Sequence, residues 1–331
     1  MRIGITYNLK SAAPLDPHLP DDSQEEFDSP STIDALASEL RALGHDVVPL
    51  GDGREFLEKV LAAPLDFVFN FAEGTGVSRA REARVPAVLE MLGIPYSGSD
   101  PWTLAVTLDK DSAKKLVAAA GVAVPRCVVL GAREPLDAVP SGQLVFPLVA
   151  KPAWEGSSKG IRNRCLVNAP GDLPEVVAHL RRDHRQPILL EEYIAGDELT
   201  VGIYGNEPAR VLGVMRVVPR QPMAQFIYSL EIKRDFRRLV KYECPPPLPP
   251  ATLARVERAA LTAYQALGCR DVSRVDFRLR DGVPYFLEVN PLPGLHPDDS
   301  DLVIMAQALG WSYHRLIETI VHAALERVGL G

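Results

Sequence analysis

Several features that mark other protein classes are missing from this sequence of 331 residues. No uninterrupted apolar stretch reaches the ~18 residues of a transmembrane helix, and the N-terminus lacks the apolar core of a signal peptide. The four cysteines, at positions 127, 165, 244 and 269, are too scattered for a zinc site and are typical of thiols in a reducing cytosol. The net charge of −7 excludes a general attraction to nucleic acid or anionic membrane. We therefore expect a cytoplasmic protein with neither of these partners.

Glycine is also missing where two common nucleotide-binding motifs require it. Residues 4–11 resemble a phosphate-binding P-loop, but Leu9 occupies the position of the second glycine, whose backbone must wrap the phosphate. Residues 74–76 begin a dinucleotide fingerprint, but Arg79 stands at its third glycine. Both motifs are therefore rejected.

The first part of the chain alternates strand and helix patterns, which indicates a parallel α/β sheet. The predicted elements lie at residues 3–7, 31–43, 46–50, 66–71 and 82–92. A long acidic, proline-rich loop at residues 10–30 joins the first strand to the first helix, and loops of this length are usually either functional or disordered.

Two further regions complete the chain. The second is predicted to contain elements at 110–120, 126–130, 148–151, 172–183 and 188–193, with a polar Gly/Ser loop at 154–160. The third is richer in strands, at 199–204, 210–218, 274–279 and 285–289, and has helices at 251–267 and 312–327. We predict three α/β subdomains: an N-terminal parallel-sheet domain (1–107), a central lid domain (108–195) and a C-terminal mixed-sheet domain (196–331).

The strongest chemical signal is a predicted pair of strands with polar residues in alternation. Arg274 and Asp276 share one strand face, and Glu288 and Asn290 share a face of the next strand. A three-residue loop at 281–283 would place Asp276 opposite Glu288 and Arg274 opposite Asn290. These oxygen ligands suit Mg²⁺ holding ATP phosphates, and the guanidinium would stabilise charge on a transferring group. The alternative from these residues alone is a structural ion-pair network.

Two other segments have the composition of a nucleotide site. Lys151 ends an apolar strand, and the backbone amides of the Gly/Ser turn that follows would cradle phosphate. Residues 188–198 form an apolar strand that ends in carboxylates, which would accept hydrogen bonds from adenine and ribose. Taken singly, the first segment favours a solvated loop and the second favours a polar strand end.

Together these segments resemble the D-alanine–D-alanine ligase branch of the ATP-grasp superfamily. The matching motifs are Lys-Pro-x-x-Glu-Gly-Ser-Ser at 151–158, Glu-Glu-Tyr-Ile-x-Gly at 191–196, Arg-x-Asp at 274–276, Glu-Val-Asn-Pro-Leu-Pro-Gly-Leu-His at 288–296 and Leu-Gly-Ile-Pro-Tyr-Ser-Gly-Ser at 92–99. Their order and spacing agree with the family over most of the chain. The resemblance implies an ATP-grasp fold and ATP-dependent ligation of two amino acids through an acyl phosphate, with D-alanyl-D-alanine formation for peptidoglycan as the leading reaction.

The resemblance also implies roles for individual residues. The implied ATP ligands are Lys110, Lys151, Glu155, Ser157, Ser158, Glu191, Glu192, Tyr193, Ile194, Glu198 and Lys233. The implied metal ligands, for two Mg²⁺ ions that Mn²⁺ would replace, are Asp276, Glu288 and Asn290. The implied catalytic groups are Arg274, Ser157, Lys233 and Gly294. The implied amino-acid ligands are Glu25, Glu26, Glu82, Arg234 and Ser300. A homodimer is left open.

Two departures from the family pattern bear on the substrate. The family has a tyrosine after the mobile-loop lysine, bonded to the serine equivalent to Ser157, but here Arg234 follows Lys233. Arg234 would pair with Glu25 or Glu26, bind an acidic substrate group, or simply face solvent. The family's His-Gly is also missing, and residues 70–74 stand in its place. Other amino acids as substrates, and a nucleotide-binding regulator without turnover, remain the alternatives, although retention of the whole catalytic set argues against a regulator.

Overall fold

Three β-sheets organise the part of the chain that the computed structural model describes, residues 1–10 and 19–331. Residues 11–18 of the predicted 10–30 loop lie outside the described residues. The strands are β1 (Arg2–Tyr7), β2 (Asp46–Gly51), β3 (Phe67–Phe71), β4 (Cys127–Leu130), β5 (Leu148–Pro152), β6 (Leu166–Val167), β7 (Ile188–Glu192), β8 (Asp197–Tyr204), β9 (Arg210–Pro219), β10 (Val240–Glu243), β11 (Val272–Arg280) and β12 (Val283–Asn290). The helices are α1 (Pro30–Ala42), α2 (Gly53–Ala62), α3 (Arg84–Leu92), α4 (Pro101–Leu108), α5 (Lys110–Ala119), α6 (Leu173–His184), α7 (Leu230–Arg234), α8 (Phe236–Leu239), α9 (Pro250–Ala266), α10 (Asp301–Ala308) and α11 (Tyr313–Arg327).

The first sheet is parallel, as the alternation of strands and helices predicts. Its strand order is β2-β1-β3, and β3 is buried along its whole length because helices cover both faces. One face packs against α1 and α11, through residues such as Leu36 and Ile320, and the other packs against α2 and α3. The C-terminal helix therefore completes the core of the N-terminal sheet.

The other two sheets are antiparallel throughout. Their strand orders are β4-β7-β5-β6 and β10-β9-β8-β11-β12, and every neighbouring pair runs in opposite directions. The mixed character predicted for the C-terminal sheet is wrong. Short turns join β8 to β9 and β11 to β12, and a strand that returns through a short turn must lie antiparallel to its neighbour.

The β11–β12 hairpin has the predicted register but not the predicted turn. Asp276 pairs with Glu288 and Arg274 pairs with Asn290. The loop has two residues, Asp281 and Gly282, both with positive φ, as a tight hairpin turn requires. The register shifts by one residue just after Asp276, and this β-bulge restores the pairing that a three-residue loop would have given.

Several helices were not predicted, although α4 has clear signals: Asp100 caps it by accepting from the Thr103 N–H, and Pro101 occupies its first position. The predicted helix at 82–92 begins only at Arg84, so Glu82 lies in the loop before it. Within the described ranges, no helix is both long and apolar enough to span a membrane.

Candidate active site

Three neighbouring strands place a polar cluster on one face of the C-terminal sheet. Arg274 on β11 donates to both carboxylate oxygens of Asp276, at 3.1 and 3.0 Å. The same carboxylate accepts from Thr200 on β8 at 2.6 Å and from the amide of Asn290 on β12 at 3.1 Å. The side chains of Asp276 and Arg274 are only 15% and 10% exposed. The sheet register thus holds these groups without help from loops.

Glu288 lies beside Asp276, and its carboxylate is held in the ionised form. Its Oε2 is 2.9 Å from the Nζ of Lys110 at the start of α5. Burial opposes ionisation of Glu288, but the ammonium groups of Lys110, Lys151 and Lys233 outweigh it and hold the pKa well below its usual value. Two carboxylates and an amide oxygen from one hairpin form a hard-oxygen donor set, which fits Mg²⁺.

A buried triad joins the central sheet to α5. Glu191 on β7 accepts from Lys151 on β5 at 2.7 Å, and its other oxygen lies 2.7 Å from Lys114 Nζ. Burial raises the pKa of Glu191, but the two lysines reverse this and the net pKa is lowered. Lys114 was not predicted. A signal was available, because it follows Lys110 by one helical turn and so shares its helix face.

A cavity with an empty volume of about 790 Å³ adjoins this triad. Predicted nucleotide residues line it, namely Lys151, Ser158, Glu191, Glu192, Tyr193, Ile194, Glu198 and Lys233. Val149, Leu199 and Leu287 add apolar walls, which suit a flat base. Glu198 is paired with Arg278 at 2.5 Å, so a cation already orients the predicted ribose acceptor.

The Gly/Ser loop after β5 is held in an unusual backbone conformation. Ser157 and Ser158 both have left-handed φ values, 48° and 59°, which are uncommon for residues other than glycine. Carboxylates from the loop before α1 hold this turn: Gly156 N–H donates to Glu26 at 2.6 Å and Gly160 N–H donates to Asp22 at 2.8 Å. Amides that bind carboxylate oxygens have the polarity that a phosphate needs.

Arg81, which the sequence did not single out, connects the N-terminal domain to this loop. Its side chain is 1% exposed and donates to Glu26 at 2.6 and 2.8 Å, to Glu155 at 3.1 Å and to the carbonyl of Trp154 at 2.7 Å. Arg81 and the Gly156 N–H therefore occupy both oxygens of Glu26. This arrangement argues against the predicted contact of Glu26 with substrate.

Lys233 and Arg234 lie in the short helix α7, which is part of the loop between β9 and β10, and this loop contacts the opposite side of the cleft. Arg234 donates to Glu25 at 2.7 Å and to Asp21 at 2.8 Å, which is the pairing across the cleft that the sequence allowed. Lys233 lies over the ring of Tyr228, 5.1 Å from its centroid. Lys233 and Arg234 also line the larger cleft.

The larger cleft, of about 1870 Å³ including open solvent, contains the remaining predicted residues. Glu82 is 6% exposed, and burial raises its pKa to about 8. The Ser300 hydroxyl accepts from the His296 N–H at 2.8 Å. A Cβ on Gly294 would come within 2.9 Å of that hydroxyl, so a larger residue there would displace the Ser300 side chain. Lys233, Arg274 and Glu288 line both cavities, which places the predicted reacting groups where the two cavities meet.

A parallel-sheet domain, two antiparallel sheets and a lysine- and carboxylate-lined cavity between them are the features of an ATP-grasp enzyme. The family described as D-ala D-ala ligase C-terminus matches residues 116–322. Proteins named D-alanine–D-alanine ligase are similar over most of their length: that of Gluconobacter oxydans is 35% identical over 89% of this chain and 93% of its own, and that of Desulforudis audaxviator is 34% identical over 88% and 92%. The crystal structure of the Bacillus anthracis D-alanine–D-alanine ligase complexed with ATP has a TM-score of 0.76 at 26% identity and full coverage of both chains. The chain belongs to the D-alanine–D-alanine ligase family.

Proposed function

We propose that the chain is an ATP- and Mg²⁺-dependent ligase that joins the carboxylate of one amino acid to the amine of another. D-alanyl-D-alanine formation is the leading specific reaction, because relatives at 34% and 35% identity are named D-alanine–D-alanine ligase and match this chain over most of their length. The observation that carries the proposal is the meeting of the two cavities at Lys233, Arg274 and Glu288. A nucleotide in one cavity and an amino acid in the other would have their reacting ends at this place.

Each charged group has a distinct part in the proposed reaction. A carboxylate oxygen of the first amino acid attacks the terminal phosphorus of ATP, and ADP leaves. Lys110 and Lys151 balance the phosphate charge, and the amides of the Gly/Ser loop bind the phosphate oxygens. The amine of the second amino acid then attacks the acyl carbon and phosphate leaves. Arg274, fixed by Asp276 and by Asp301 at 3.3 Å, stabilises the negative charge on the tetrahedral centre.

The metal site and the substrate contacts complete the proposal. Asp276, Glu288 and Asn290 would hold Mg²⁺, which when bound neutralises phosphate oxygens. Ser300 and Gly294 would contact amino-acid substrate, and closure of the Lys233 loop would exclude water that hydrolyses an acyl phosphate. The proposal includes two metal ions, for which Mn²⁺ would substitute, and a cytoplasmic location. It divides the chain into subdomains at 1–107, 108–195 and 196–331 and leaves open whether the protein forms a homodimer.

Product analysis tests the proposal directly. The protein is incubated with ATP, Mg²⁺ and pooled D- and L-amino acids, phosphate release is measured, and products are identified by mass spectrometry. Phosphate release together with a dipeptide mass supports the ligase. ATP binding without phosphate release for any amino acid would contradict it and favour the non-catalytic regulator.

A further inference from the structure

Most charged side chains in the larger cleft have a partner of opposite charge. Glu25 pairs with Arg234, Glu288 with Lys110, and Asp301 with Arg274. Glu26 and Glu155 share Arg81, and Lys159 lies 2.9 Å from Glu155. These charges are balanced within the protein, so they do not need a charge from a ligand.

Three carboxylates in the same cleft are different. Asp28, Glu73 and Glu82 line it, yet within residues 1–10 and 19–331 none of their side-chain oxygens has a hydrogen bond or an ion pair. Glu82 is more than nine-tenths buried, and Asp28 and Glu73 are half-buried. Carboxylate oxygens that line a cleft without a cation from the protein are available to a cation on a ligand.

The surrounding charges do not supply that cation. Burial raises the pKa of Glu73, and the neighbouring Glu82, Glu26 and Asp28 raise it further. Arg81 and Lys110 act on Glu82 from nearby, but both make their direct contacts with other carboxylates. Burial also raises the pKa of Asp28 to about 7, opposed only by the exposed Lys10. The three carboxylates thus form one acidic region, which we call the unpaired acidic end of the cleft.

A single α-ammonium group does not balance this region. An amino acid such as alanine brings one positive charge, which matches one of the three carboxylates. We propose that the unpaired acidic end selects a first substrate with a second ammonium group on its side chain, so that the ligase prefers a diamino acid. This inference rests on the proposed ligase function and names Glu73, together with Glu82, as its specificity determinants.

The test compares amino acids that match in size and differ in charge. Phosphate release with ATP and Mg²⁺ is measured for 2,3-diaminopropionate against 2-aminobutyrate, 2,4-diaminobutyrate against norvaline, and ornithine against norleucine, each as D and L forms with alanine as a reference. For at least one pair we expect kcat/KM to favour the diamino acid by about tenfold or more, the scale of a hydrogen bond to a charged group. Product masses identify which amino acid supplies the carboxylate.

Matched variants locate the preference. Glu73→Gln and Glu82→Gln keep the size and remove the charge, so each should reduce severalfold the ratio of kcat/KM for the diamino acid to kcat/KM for its uncharged partner. Glu175→Gln, at an exposed position on α6, should leave the ratio unchanged.

The outcomes separate the two proposals. If no amino acid supports phosphate release, the ligase function itself fails. If alanine or the uncharged partners are used as well as the diamino acids by the unmodified protein, the ligase stands and the inference is overturned. A diamino preference that survives both Gln substitutions would overturn the assignment to the unpaired acidic end.

Discussion

The two ends of the active site differ in whether their charged side chains are paired. At the nucleotide end, Lys151, Glu191 and Lys114 form a buried triad with contacts of 2.7 Å. At the unpaired acidic end, Asp28, Glu73 and Glu82 have no partner of opposite charge in the part of the chain that the structure describes. The charges of the first end are matched within the protein, whereas the carboxyl groups of the second have no such match among the described residues.

This difference predicts opposite effects of substitution on stability at the two ends. Removing one partner of a buried ion pair strongly destabilises the folded state. Unpaired buried carboxylates already weaken the folded state, so their removal should cost little or even stabilise it. Stability measurements on single variants therefore test the comparison without any knowledge of the substrate.

The largest effect on stability is expected at Arg81, whose charge is paired with buried carboxylates. Arg81→Met removes the buried cation that Glu26 and Glu155 share, and the free energy of unfolding should fall by about 3–5 kcal/mol. The exposed Arg79, 3.6 Å from Asp109, offers a matched control, since a surface pair contributes only about 0–1 kcal/mol. Urea unfolding measures both variants. Equal losses in the two would show that the Arg81 cluster has no special role.

The next effect concerns catalysis at the nucleotide end. Glu288→Gln removes a carboxylate that the lysines keep ionised, and turnover should fall by at least ~10²-fold, the scale of losing an electrostatic stabiliser. The fold should remain intact, because Lys110 retains its contact with the Glu155 carbonyl. Steady-state phosphate release measures the loss, and near-normal turnover would remove Glu288 from the metal site.

The sequence predicts the β11–β12 part of the active site well, for a physical reason. Strand periodicity sets which side chains share a face, so Arg274, Asp276, Glu288 and Asn290 were placed together before the structure was known. The error in the hairpin turn did no harm because a bulge beside Asp276 compensated for it. Local patterns of this kind need no information about distant parts of the chain.

Residues that depend on long-range contacts escaped prediction. Arg81 meets Glu26 and Glu155, which lie 55 and 74 positions away, and no local pattern encodes such a meeting. Glu73 is a single glutamate in a loop, and only its position in the cleft gives it significance. The antiparallel C-terminal sheet was missed for the same reason, since strand direction depends on how the connections cross the sheet.

A smaller effect should appear as a pH dependence at the unpaired acidic end. Burial raises the pKa of Glu82 to about 8 in the folded state, above the ordinary value that applies to the unfolded chain. Between these values the folded state holds a proton that the unfolded state has lost, so stability falls as pH rises through this range. This loss of stability amounts to up to about 1.4 kcal/mol per pH unit, and Glu82→Gln removes it. We expect the variant to gain stability over the unmodified protein between pH 5 and about 8.

Urea unfolding at several pH values checks this expectation, with Glu175→Gln as an exposed control. A difference between the Glu82 variant and the unmodified protein that stays constant with pH would mean that Glu82 is paired in solution.

The smallest effect on stability, and the one that bears most on loop closure, is expected at Arg234. Its contacts with Glu25 and Asp21 are half-exposed, so Arg234→Tyr should change the free energy of unfolding by no more than about 1 kcal/mol. If these contacts hold the loop shut over the cleft, activity should still fall for every substrate, because an open cleft admits water to the acyl phosphate. Exchanging the charges, with Arg234→Glu and Glu25→Arg in one chain, should then recover part of the activity. Arg238→Tyr, at a solvent-exposed position nearby, provides the control. A loss confined to acidic substrates would instead make Arg234 a substrate contact, and unchanged kinetics for all substrates would make it a surface residue without a part in closure.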